Sequence, residues 1–130
     1  MPGPSHIGAV ALVVPDYDVA IAFYTRALGF DLIEDTDLGH GKRWVLVAPP
    51  EARETRLLLA RAVTDAQQSA IGNQTGGRVG FFLHSQDFDA DHARMLKAGV
   101  QFEETPRQEA YGKVAVFQDP FGNRWDLIGP

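Results

Sequence analysis

The chain repeats itself. Val13-Val14-Pro15-Asp16-Tyr17-Asp18-Val19-Ala20 returns in altered form as Leu83-His84-Ser85-Gln86-Asp87-Phe88-Asp89-Ala90. Each copy leads into a helical stretch, the first ending at Leu28-Gly29-Phe30 and the second at Ala98-Gly99-Val100. Gly41-Lys42-Arg43-Trp44-Val45-Leu46 is answered by Gly112-Lys113-Val114-Ala115-Val116-Phe117. The matching positions, 16 with 87, 29 with 99 and 41 with 112, lie 70 or 71 residues apart. Solenoid units are shorter, at about 20–50 residues, so this period marks a duplicated supersecondary module. Each copy reads strand, helix, strand, strand, strand. Neither can bury its apolar face alone, and positions where the copies differ are where function is to be sought.

The remaining sequence supports an α+β domain built from these copies. The first module is expected over about residues 6–61, a linker helix and loop over 62–77, and the second module over 78–130. The predicted strands are Ile7–Val14, Phe30–Thr36, Arg43–Ala48, Arg56–Ala60, Arg78–Leu83, Val100–Thr105, Lys113–Gln118 and Arg124–Ile128. Asp16 or Asp18 caps the first helix, and the other main helix is expected from Asp89 to Ala98 with His92, Met95 and Leu96 facing inward. Thr64-Asp65-Ala66-Gln67 has the spacing of a capping box for the linker helix, which Gly72 ends. Asp119-Pro120-Phe121-Gly122-Asn123 reads as a turn. Eight strands in two such modules make a concave mixed sheet with helices on its outer face, and clefts of that kind collect pockets.

Composition excludes several function classes. A net charge of −5 with no cluster of Lys or Arg argues against nucleic acid or an anionic membrane as partner. With no cysteine there is no disulfide framework, thiolate metal site or thiol nucleophile. The longest apolar run, Ala9 to Val14, is far too short to span a bilayer, and no signal-peptide pattern is seen, so a cytoplasmic location is expected. The loop from Gly72 to Gly77 lacks the Lys-Ser/Thr of a phosphate-cradling loop, and neither a Gly-x-Ser-x-Gly elbow nor a His-Glu-x-x-His motif occurs.

Val14-Pro15-Asp16, Ala22-Phe23-Tyr24, Leu28-Gly29-Phe30 and the run Asp119 to Leu127 together resemble the vicinal oxygen chelate superfamily, which comprises glyoxalases, bleomycin-resistance proteins and ring-cleaving dioxygenases. The resemblance runs from Ile7 to Ile128. It implies a small-molecule groove, a homodimer and, in the enzymes, a divalent metal held by His, Glu or Gln from four strands. Carried over position by position, those ligand positions fall on Ala9, Leu58, Arg78 and Asp126. Alanine and leucine have no donor, and arginine is a permanent cation. A lone carboxylate is too few ligands for Zn²⁺, Mg²⁺ or Fe²⁺.

No metal or other cofactor is therefore expected. The module geometry would bring Arg78 and Asp126 together, either as a structural salt bridge or as an anchor for an anionic or carbonyl group. Phe82 and His84 share Arg78's face, and His84 is the one histidine to test as general acid or base. Trp44 is groove wall or core, Tyr111 is pocket mouth or turn, and Trp125 is core. His40 reads as a loop residue. The leading expectation is a metal-free binder of the drug-resistance type anchored by Arg78. Two alternatives stand beside it: a divalent-metal lyase, isomerase or dioxygenase, and a metal-free enzyme using Arg78 and His84.

Overall fold

Pro15-Asp16 ends the first strand and starts the first helix. β1 (Ala9–Val14) stops there, and the Asp16 carboxylate accepts the Val19 amide at 3.0 Å, capping α1 (Tyr17–Ala22). Asp18 points elsewhere, to Arg43. The helix continues as a π-helical turn over Phe23–Ala27. There the Thr25 hydroxyl donates to the Ile21 carbonyl at 2.7 Å, and the Leu28 amide reaches five residues back to Phe23. Gly29, at φ 77°, closes it, with the Phe30 amide bonded to the Tyr24 carbonyl.

The structure, a computed structural model, describes residues 3–130. The chain divides into two compact units, the first ending at Gln68 and the second running from Ser69 to Pro130. In the first, β2 (Asp31–Gly39), β3 (Lys42–Ala48) and β4 (Arg56–Arg61) join β1 in a mixed sheet ordered β1-β4-β3-β2, with β1 parallel to β4. β2 runs past the expected turn to Gly39, and His40-Gly41 forms the hairpin with φ of 55° and 77°. Two central residues with positive φ match the twist of an antiparallel pair. Leu12, Val14, Val45, Val47 and Leu59 alternate onto one sheet face and are buried, as are Ala20 and Tyr24 of the helix that packs there. Each of the buried leucines and valines contributes roughly 1.5–3 kcal/mol.

α2 (Asp65–Ala70) carries the expected capping box, the Gln67 amide donating to Thr64 Oγ1 while Gln67 Oε1 accepts the Val63 amide. The second unit then repeats the pattern with β5 (Val79–His84) and α3 (Phe88–Lys97). Asp87 caps α3, so this helix begins one residue earlier than Asp89, and Leu96 faces solvent rather than the core. The expected strand over Val100–Thr105 is two pieces, β6 (Gln101–Phe102) and β7 (Arg107–Glu109), both paired to β8 (Gly112–Gln118). With β9 (Arg124–Gly129) the sheet is ordered β5-β9-β8-β6. Trp125 and Leu127 alternate to the helix side as core. No helix among the described residues is long and apolar enough to cross a membrane.

Candidate functional site

The antiparallel ladder between β3 and β4 is only two pairs long, Leu46 with Leu58 and Val47 with Leu57. Continued, it would set Trp44 opposite Ala60 and Arg43 opposite Arg61, yet no pairs form there. A cavity of about 710 Å³ opens at this split. Its wall is apolar: Ala11, Val13, Leu58 and Ala60 from the sheet face away from the helix, Leu38 and Val63 at the rim, and Trp44. Trp44 stays 39% exposed, so it is wall and not core. An indole held open beside aliphatic side chains suits a flat apolar ligand.

Polar groups gather at one end. Tyr17, at the start of α1, takes the Arg43 amide on its hydroxyl at 3.1 Å. The Arg43 and Arg61 guanidiniums lie 5.1 and 5.8 Å from its ring centre. Arg43 is fully engaged with carboxylates, meeting Asp35 at 2.7 Å and Asp18 at 2.9 Å. These hydrogen bonds hold Arg43 firmly protonated, and Arg43 in turn holds Asp35 below the usual carboxylate range. Lys42 and Arg61 also line the cavity, and neither forms an ion pair among the described residues. The sequence reading missed both, because cross-strand parity alone does not reveal where a ladder parts.

The positions that the family resemblance assigns to metal ligands do not fit a metal. Ala9 and Leu58 lie on the same sheet face, and the residue opposite Ala9 is Arg56, whose Nε is buried without a hydrogen-bond partner. A guanidinium there repels a cation. Asp126 faces away from the helix on β9, between Phe82 and Val116. Its Oδ1 is buried and unbonded, and burial holds its carboxyl above the usual range; Arg107 and Arg124 pull it down, and Glu104 adds to the rise. Glu104 cannot join it as a ligand, since its oxygens take the Val116 amide and Arg107 Nε at 2.8 and 2.9 Å.

The expected Arg78–Asp126 pair does not form. Arg78 is exposed in the bend before β5, makes no ion pair among the described residues, and is not one of the charges that act on Asp126. The register of β5 shifts between Val79 and Phe81, and Phe82 is the β5 residue that comes opposite Asp126. Arg78 and His84 lie six residues apart, roughly 20 Å along an extended strand, so they do not share a reacting atom. His84 and Tyr111 instead line a second depression of about 610 Å³ with Gln108 and Ile128, entirely within the second unit. Phe82 is 57% exposed on the Asp126 face. Val114, Val116 and Gln118, whose direction the sequence left open, share that face, opposite Ile128, Asp126 and Arg124. His92 packs between Phe88 and Phe102, and His40 is the hairpin turn.

Residues 6–127 match the family described as the Glyoxalase/Bleomycin resistance protein/Dioxygenase superfamily. The chain belongs to that superfamily. A protein of Shewanella frigidimarina (strain NCIMB 400) is 52% identical over 120 residues, covering 92% of this chain and 89% of its own. The crystal structure of UcmS2 is 30% identical with a TM-score of 0.84, covering 97% of this chain and 98% of that one. TnmS3, an antibiotic binding protein from Streptomyces sp. CB03234, is 33% identical with a TM-score of 0.79, covering 100% and 99%. The superfamily spans binders and enzymes, so the choice between them rests on the site.

Proposed function

We propose that this protein is a metal-independent binder of small organic molecules, working as a homodimer, with the split between β3 and β4 as its ligand site. The observation that carries the reading is the cavity beside Trp44, about 710 Å³ in volume, with aliphatic walls and a few polar groups at one end. Its size and lining are those of sites for drug-sized ligands, about 300–1,000 Å³ and mostly apolar. The likeness to TnmS3, an antibiotic binding protein, supports the same reading. So do the donor-free side chains of Ala9 and Leu58 and the cation Arg56 facing Ala9.

The test uses protein purified without a metal-binding tag. Elemental analysis should find divalent metal well below one ion per chain. A thermal-shift screen of aromatic antibiotics should find ligands that quench tryptophan emission, and Trp44→Ala should weaken them by about tenfold or more, as truncating a central aromatic does. One tightly held divalent ion per chain, with binding lost on chelation, would sink the proposal.

A further inference from the structure

We infer that this cavity selects ligands bearing an acidic group, a carboxylate, sulfonate or phosphate, attached to an apolar or aromatic body. The inference rests on the reading of the cavity as the ligand site. The chain has 17 acidic residues against 12 basic ones, yet the cavity lining contains His40, Lys42, Arg43 and Arg61 and no Asp or Glu. Arg43 is neutralised by Asp35 and Asp18, neither of which lines the cavity. Lys42 and Arg61 are the lining cations left without a counter-charge among the described residues.

Comparison of the two copies shows how Lys42 comes to be free. Asp18 and Asp89 hold matching positions, as do Lys42 and Lys113, and Arg43 stands where the second copy has Val114. In the second unit Asp89 pairs with Lys113 at 2.8 Å. In the first, Arg43 takes Asp18, and Lys42 has no acidic partner among the described residues. Arg61 is steered from two sides: its guanidinium lies over Tyr17, and one terminal nitrogen donates to the Gly41 carbonyl at 3.3 Å. A Cβ on Gly41 would come within 3.2 Å of that nitrogen, so glycine leaves room for the arginine to lie across the turn. The remaining guanidinium donors and the Lys42 ammonium suit an oxyanion.

Two dyes of one ring framework test this: anilinonaphthalene sulfonate and the uncharged N-phenylnaphthylamine, titrated by fluorescence. The sulfonate should bind at least about tenfold more tightly, and added salt should weaken only the sulfonate. Lys42→Gln and Arg61→Gln should each cost the sulfonate about tenfold and leave the neutral dye nearly unchanged. Arg61→Lys should keep most of the preference, and Lys97→Ala on α3 serves as the charge-matched control. Equal affinity for the two dyes, insensitive to Lys42 and Arg61 but lost in Trp44→Ala, overturns the acid preference and leaves the binding reading intact. Binding of neither dye overturns both.

Discussion

Asp126 holds a carboxylate oxygen that is buried and bonded to nothing, in a region where burial disfavours its charge. Its folded pKa lies above the ordinary value of 3.8. The contribution to stability is therefore greatest below that value, falls as pH climbs through the raised folded pKa, and stays low beyond it. Asp126→Asn, which carries no charge, should be more stable than the native protein at neutral pH, with the gap closing towards the ordinary carboxylate pKa. Urea midpoints across that pH range measure it, and a variant less stable at neutral pH would mean that the carboxylate is satisfied after all. The face on which Asp126 lies was legible from alternation along β9. Its neighbours were not: the family's ligand positions and the module geometry put Arg78 beside it, but Phe82 is the β5 residue opposite, and Arg107 and Glu104 approach instead.

Elements were legible wherever local chemistry decides them. Asp16, the Thr64–Gln67 box and the glycines at 29 and 99 end or begin helices through bonds within a few residues, and those bonds form. The break between β6 and β7 depends on tertiary partners and was missed. Pro106 has no amide to pair, and the Val116 amide that faces this gap is taken by the Glu104 carboxylate at 2.8 Å. A side chain thus stands in for strand backbone, and it also orients Arg107. Glu104→Ala should leave the amide of a buried residue unbonded and cost roughly 1–3 kcal/mol in chemical denaturation. Glu104→Gln, which keeps a carbonyl acceptor, should recover most of that loss. Equal stability of the alanine variant and the native protein would show that the gap is bridged another way.

At the scale of the whole molecule, duplication makes the fold readable and leaves the site to the departures from it. The period of 70 or 71 residues gives both βαβββ units, while Arg43 in place of the second copy's valine redirects one ion pair. The splitting of β3 from β4 has no sequence signature, because it depends on where the ladder ends in the folded sheet. Each sheet packs its helix on one face, and the other face carries apolar side chains in contact with solvent: Trp44 in the first unit, and Phe82, 57% exposed, in the second. A large aromatic left that exposed on a sheet face is a candidate contact for a second copy of the chain. The protein should therefore sediment as a dimer at micromolar concentration, and its thermal midpoint should rise with protein concentration, as it does for any state stabilised by self-association. Phe82 is not among the residues that line the Trp44 cavity, so Phe82→Asp, which adds a charge to that face, should shift the dimer towards monomer while dye binding persists. If Phe82→Asp sediments as native does, Phe82 lies outside the interface. A monomer at every concentration would remove the homodimer from the proposal and leave the ligand site as it stands.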